Sequence, residues 1–322
     1  MLKINYKIKI GSTIYTANDK TLLLDLRSQS SLQVPVNTCQ IVLGIPKNVQ
    51  VAPKDPISVE IGYDRQTSLV FTGRVMRVDW EIDRINIEAA STLTELTLLR
   101  INRVYEKSHA GDIVKDILKQ ANLTVGKVEN GIEFAVYAVG DRETASDRLQ
   151  NLAQQCGFDM YANERDRAIF AQYSPANTHT FTYGENILKY QSEQPQTGID
   201  KIEIYGESPA SQGQGNQAYS WLTKKEVKAT AGSGKNVLRL ADPTARSQAV
   251  AQNIARGMLT HLQQKQHGQI AVIGTANVKL GEAIQITKMP ISKQNGTFKV
   301  TGVRHTINRR NGFLTTIYWE KK

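Results

Sequence analysis

A chain of 322 residues is longer than one ordinary core and predicts two or three domains. It is 40% apolar and 22% charged, and no apolar run approaches the ~20 residues of a membrane-spanning helix, so membrane insertion is not expected. A net charge of +10 admits phosphate partners, yet the 40 Lys and Arg are interleaved with 30 acidic residues, which favours a solvated basic surface or acidic protein partners over sequence-specific DNA recognition.

From Met1 to Ile10 apolar residues alternate with Lys and Asn, a strand pattern unlike the continuous apolar centre of a signal peptide. Folding in a reducing cytoplasm is therefore expected. Residues 1–104 read as a first tube-like β-barrel domain, with strands expected at Tyr6–Ala17, Leu22–Leu26, Leu32–Gly44, Ile57–Tyr63, Leu69–Trp80 and Ile85–Ala90. Pro35 marks a bulge or edge in the third. Residues 105–180 change period and read as a small α+β domain. Ile113, Val114, Ile117, Leu118 and Ala121 form a helical stripe within Ala110–Ala121. A second helix runs from Ala145 to Cys156, started by Thr144 with Asp147 in capping-box spacing and stopped by Gly157. Phe158–Ala162 and Ala168–Tyr173 then suggest a hairpin.

Residues 181–322 read as a second tube-like β-barrel domain, with strands at Ile187–Ser192 and Lys201–Tyr205 and polar loops at Ser208–Ala218 and Ala231–Lys235. A helix is expected over 243–264, with Asp242 as cap, Pro243 in its first turn and Val250, Ile254, Met258 and Leu262 facing a sheet. Strands between Ile270 and Trp319 close the chain. The overall expectation is a mainly β protein with an α+β insertion.

The two β regions share an order of elements. Asp55-Pro-Ile-Ser-Val-Glu-Ile, Phe71-Thr-Gly-Arg-Val and Ile85-Asn-Ile-Glu correspond to Gly281-Glu-Ala-Ile-Gln-Ile, Phe298-Lys-Val-Thr-Gly-Val and Phe313-Leu-Thr-Thr-Ile. This is a weak internal repeat that favours two related barrels.

Signs of chemistry are few. Gly232-Ser-Gly-Lys-Asn236 fails as a phosphate loop, because Ala229 stands where its first glycine belongs and Asn236 follows the lysine. The pairs Glu81/Asp83 and Glu143/Asp147 lack evidence of one shared cleft, which glycoside hydrolysis requires. His305 in a strand suggests a hydrogen-bonded residue at a domain edge, with a proton switch as the alternative. His109, His179, His261, His267 and His305 show no metal spacing, and Cys39 and Cys156 read as reduced thiols. No catalytic, metal or cofactor residue is assigned, no cofactor is expected, and no enzymatic activity.

These segments, taken in order, resemble phage late control D proteins and the baseplate hubs of contractile tails, and are similar to the base domains of type VI secretion spike proteins. The closing set, a Leu280-Gly-Glu turn, Gly296-x-Phe-x-Val-x-x-Val-x-His305 … Asn311-Gly-Phe-x-Thr, carries the resemblance with Leu69–Val78, Asp112–Leu123 and Asp141–Met160. Asn122 replaces the usual glycine of the first helix, and Ala145-Ser146 and Arg148 stand where bulkier residues are common. The resemblance implies a structural baseplate hub of a contractile phage tail or phage-derived injection system. Such a hub is a homotrimer whose six similar units adapt a six-fold tail tube, or its initiator, to a three-fold spike. It also implies other baseplate partners, a virion or injection-particle location, and DNA only as cargo through the lumen. As the sequence stops at Lys322 without a spike extension, a separate spike protein is expected. The excess Lys and Arg are expected on outer or protein-contacting surfaces. The alternatives are a basic nucleic-acid-binding β-barrel protein, which would need interleaved aromatics where Trp80, Trp221 and Trp319 are far apart, and a cell-wall hydrolase.

Overall fold

Alternation sets the first strands. Ile8 and Ile10 bury their side chains while Lys7 and Lys9 face water, and Gly11, at φ 55°, turns the chain back, so the stretch expected as one strand is two, β1 (Ile4–Ile10) and β2 (Thr13–Thr16). In this computed structural model the described residues are 3–18, 22–44, 49–195, 198–207, 227–263 and 265–321. The loop expected at Ser208–Ala218, and Trp221, lie outside them. The next strands are β3 (Leu22–Ser31) and β4 (Thr38–Gly44). The expected strand from Leu32 is thereby shortened at its start. Pro35 supplies no N–H for a ladder and sits in the connection, where Ser31 Oγ accepts from the Gln33 amide at 3.2 Å. The meander β5 (Pro56–Tyr63), β6 (Gln66–Trp80) and β7 (Arg84–Ala90) completes the first lobe. Its core is built by Ile8, Leu26, Ile41, Leu43, Val59, Ile61, Phe71, Ile85 and Ile87.

A 3-10 turn at Thr92–Thr97 leads into the α+β module. Here β8 (Arg103–His109) and β10 (Glu133–Val139) pair, and β9 (Val125–Val128), β11 (Asp159–Ala162) and β12 (Ala168–Ala171) form a second small sheet. Helices α1 (Ala110–Gln120) and α2 (Ala145–Cys156) lie where the periodicity put them. The α2 start is a full capping box between Thr144 and Asp147, and Gly157 ends the helix at φ 70°.

The chain then runs β13 (Thr178–Thr182) and β14 (Ile187–Glu193), which belong to the second lobe. It returns to the module for β15 (Lys201–Gly206), β16 (Lys228–Gly232), β17 (Val237–Asp242) and α3 (Gln248–Leu262). The expected boundary at 180/181 therefore does not separate the units. Ile202, Ile204, Ile254 and Ala255 share one core with Ile113, Leu118, Leu149, Leu152, Phe134 and Phe170. The helix expected over 243–264 starts later, for a physical reason. Asp242 ends β17 and its Oδ1 accepts from the Thr244 amide (2.9 Å) and hydroxyl (2.6 Å), closing a turn around Pro243. Ser247 Oγ then caps the helix by accepting from the Val250 amide at 3.3 Å. The α3 stripe does face a sheet, β15 and β16, as its apolar spacing required.

The last strands are β18 (His267–Ile273), β19 (Ala283–Thr287), β20 (Gly296–Asn308) and β21 (Gly312–Lys321). Their core is Phe181, Ile270, Val272, Ile284, Ile286, Phe298, Val300, Ile317 and Trp319. The two lobes are not separate barrels joined by a linker. Antiparallel pairing of β20 with β3, from Gly302↔Ser31 to Asn308↔Asp25, fuses them into one thirteen-strand sheet along β14-β18-β21-β20-β3-β4-β7-β6-β5-β1-β2, with β19 and β13 branching from β20. The fold is mainly β, with large antiparallel sheets and a small helical module.

Candidate assembly surfaces

The two segments related by the weak repeat are structurally alike. β5–β6–β7 and β19–β20–β21 are both three-strand meanders with a long central strand, and that strand shifts register against its following partner in both, between Val75 and Arg77 and between Val300 and Gly302. Gly73 lies at a close crossing, where a Cβ would sit 2.2 Å from the Ala90 carbonyl oxygen.

Both long hairpins end at the same edge of the sheet. Reading across the ladders, Asn308 pairs with Asp25, Asp25 with Val42, Val42 with Asn86 and Asn86 with Asp79. One rim thus carries the β6–β7 tip at Trp80–Asp83 and the β20–β21 tip at Arg309–Asn311. β6 outruns β5, whose pairing begins only at Pro56↔Arg74, so the outer edge of the first tip has no β5 partner, while β7 stays paired with β4 up to Gly44↔Arg84. Trp80 is 56% exposed, Met76 is exposed and Ile82 is fully exposed. Around them Arg77 bonds Asp79 at 3.0 Å, and Arg84 bonds Asp83 at 2.9 Å and Glu81 at 3.3 Å. Met76, Trp80 and Ile82 thus leave apolar surface in water on one hairpin, a kind of surface on which partners commonly dock. At the ends of the sheet path, β2 and β14 pair on one side only among the described strands.

Polar seams fix the module to the lobes. Lys299 Nζ, nearly buried on β20, bonds Asp159 at 2.8 Å and Glu320 at 3.3 Å and lies 5.2 Å from the Tyr173 ring centre. Below this seam a cleft of about 510 Å³ opens between α3 and the second lobe, lined by Asp159, Tyr173, Arg256, His261, Lys299 and Glu320. Burial lowers the pKa of His261, whose Nε2 lies 2.9 Å from the Phe158 carbonyl oxygen. Glu282 bonds His179 (2.8 Å), Asn177 (2.6 Å) and the Lys279 amide (2.8 Å). Burial works to raise its pKa, but these partners hold it below the usual value. Asp166 accepts from the Thr92 amide at 3.0 Å, tying the module to the end of β7, although burial still raises its pKa.

His305 is buried on β20 with Nδ1 3.0 Å from Thr315 Oγ1. Burial pushes its pKa down to about 3, assisted by the Lys279 charge. Lys279, itself lowered by burial, donates to the Leu69 and Ala276 carbonyls. Glu203 on β15 is held by Lys201 (2.7 Å), Arg239 (3.1 Å) and Lys228 (3.8 Å), and the Lys201 bond leads in pulling its pKa to about 2.

The other motifs resolve locally. Gly232 ends β16 and the turn to β17 is tied by Asp200, which accepts from the Asn236 amide at 3.3 Å; no helix follows to receive a phosphate. Glu81 and Asp83 belong to the exposed tip, and Asp147 caps α2 while Glu143 pairs with Arg148 at 3.1 Å. Among the described residues no group of three His, Cys, Asp or Glu side chains could hold a metal, and no helix is long and apolar enough to cross a membrane. Cys39 and Cys156 are free thiols. Periodicity alone does not reveal the exposed tip; its signal is Trp80 and Ile82 alternating with Asp79, Glu81 and Asp83 at a strand end.

The fold is that of phage tail proteins. The 43 kDa tail protein of prophage MuSo2 from Shewanella oneidensis superposes with a TM-score of 0.72 at 13% identity, over 98% of this chain and 98% of that one. A tail protein from Neisseria meningitidis MC58 gives 0.72 at 15% identity, over 99% and 97%. An E. coli component of the type VI secretion system, described as similar to the T4 bacteriophage tail proteins gp27 and gp5, gives 0.59 at 10% identity, over 97% of this chain and 76% of that one. No curated protein matches. The family model that matches is not late control D: it spans residues 43–309 and is described as the Alg8 N-terminal domain, and the chain belongs to that family.

Proposed function

We propose that this chain is the non-enzymatic structural hub of a contractile phage tail or phage-derived injection system. Three copies form a ring whose six meander-bearing lobes adapt a six-fold tube to a three-fold spike, as the late control D likeness implied. The observation that carries this reading is the single sheet joining twin meanders, with a strand at each end of its path that pairs on one side only among the described strands. Two like lobes per chain give six around a three-fold axis, and free sheet edges want a partner. The end-to-end likeness to two tail proteins supports it, as does the likeness to a type VI secretion component. In this reading tube and spike proteins bind opposite ends of the ring, DNA passes only as cargo, and the cationic excess serves outer and protein-contacting surfaces.

Light scattering on the purified protein across a concentration series, with and without its spike protein, tests the proposal. A mass three times 35.8 kDa, alone or on addition of spike, is the expected result. A monomer that ignores the spike and shifts labelled DNA in a salt-sensitive way would overturn it in favour of a nucleic-acid-binding protein.

A further inference from the structure

We infer that neighbouring copies in the ring meet through their hairpin tips, the β6–β7 tip of one copy docking on the β20–β21 tip of the next. This rests on the ring reading above and adds a contact to it. The first tip is apolar and acidic. From Arg77 to Arg84 three carboxylates against two guanidiniums leave a net −1, in a chain of net +10, around exposed Trp80 and Ile82. Both arginines are spent on those carboxylates within the tip. The second tip presents Arg309 and Arg310, both exposed, with no side-chain partner among the described residues. The Asn308 side chain shapes that turn, its Oδ1 accepting from the Arg310 amide at 3.1 Å and the Asn311 amide at 2.8 Å. The signs are complementary, and Trp80 offers a ring face on which a guanidinium stacks.

Geometry decides which copies can bring the tips together. Within one chain the ladders place β3 and β4 between β20 and β7, three strand spacings or about 14 Å, and no bond joins the tips. Both tips lie at the same rim, with the ends of β3 and β4 at Leu22 and Gly44 reaching the same level between them. A rotation axis running roughly along the strands preserves height, so the first-lobe tip of one copy stands level with the second-lobe tip of its neighbour. A contact between unlike tips is heterologous, the kind from which a ring can be built, whereas like tips would set acid against acid and arginine against arginine.

The test uses the full chain under conditions where it assembles. Glu81→Lys with Asp83→Lys, and separately Arg309→Glu with Arg310→Glu, should each weaken assembly about tenfold or more, and the four changes together should restore it. All four residues are exposed, and an unchanged Tm confirms folding. As a second readout, Ile82→Cys and Arg310→Cys chains are mixed and oxidised; disulfide-linked dimers should form in the mixture far more than in either variant alone. If the ring forms but the charge reversals leave its assembly constant within twofold and the mixture gives no cross-link, the tip contact is wrong while the ring stands. If the chain stays monomeric with and without spike, both fall.

Discussion

Replacing Gly257 by alanine tests how the two sequence-distant halves of the α+β module are held together. Gly257 lies in the middle of α3, where alanine ordinarily stabilises a helix by about 1 kcal/mol. Here a Cβ would lie 2.2 Å from the Gln155 carbonyl oxygen, 2.6 Å from the Gly157 nitrogen and 2.8 Å from the Gln155 carbonyl carbon. All three are backbone atoms at the end of α2, so no rotamer change relieves the overlap. Ordinary contact requires the helices to part by about 1 Å, which forfeits dispersion along their interface, and overpacking of this kind costs about 1–3 kcal/mol or more. The clash outweighs the propensity gain, and a net loss of about 1–2 kcal/mol is expected. In a unit of this size that lowers Tm by roughly 2–8 °C. Differential scanning calorimetry measures it, and hydrogen exchange should show faster exchange in α2 and α3 with β1–β7 unaffected. A Tm equal to or above that of the parent would refute the close-crossing argument and leave helix propensity as the dominant effect.

Three further outcomes are expected. Between pH 6.5 and about 3 the unfolded chain binds a proton at His305 that the folded chain refuses, so this residue makes stability fall as pH falls through that window. His305→Asn should flatten the pH dependence of the urea midpoint relative to the parent, and an identical slope would show that the imidazole is not sealed. Lys299→Ala leaves Asp159 buried beside Glu320 without a cation and should cost about 3 kcal/mol, most of it recovered when Asp159→Leu is added to Lys299→Met; additive losses in a denaturation series would show that no pair exists. Burial raises the thiol pKa at Cys39, and at Cys156 to about 11, so neither should react with a thiol-specific disulfide reagent in the folded protein at pH 8 while both react in guanidinium; rapid native labelling would contradict the packing.

Local signals in the sequence were read well and long-range ones were not. α2 was legible to the residue, because Thr144, Asp147 and Gly157 are caps that act within four positions. α3 was misplaced by five residues at its start because Asp242-Pro243 is a helix opening in one context and a strand-ending turn in another; only Thr244, taking the Asp242 carboxylate, decides between them. β9 was missed since a short, largely exposed strand, Val125-Gly-Lys-Val128, carries no alternation to detect. The module's second segment was assigned to the wrong unit because the deciding contact, Gly157 against Gly257, spans 100 positions and joins two residues without side chains. The seams were invisible for the same reason: Lys299 and Asp159 stand 140 positions apart, and each alone reads as an ordinary surface charge.

The sheet itself has a consequence for assembly. Two domains on a linker move relative to one another by default. Here seven residue pairs of β20 and β3 carry a backbone ladder from one lobe to the other, and Ile307 and Phe313 of the second meander pack into the first lobe's core. The angle between lobes is therefore set by strand twist and main-chain hydrogen bonds, and the Lys299 and Asp166 seams brace the module against both. In the proposed ring of six like units, half of the unit-to-unit junctions would be of this intrachain, pre-paired kind and half would lie between copies. Only the latter could adapt, so in that proposed ring the differences between a six-fold and a three-fold partner would be absorbed at the contacts between copies, where the inferred tip contact would lie.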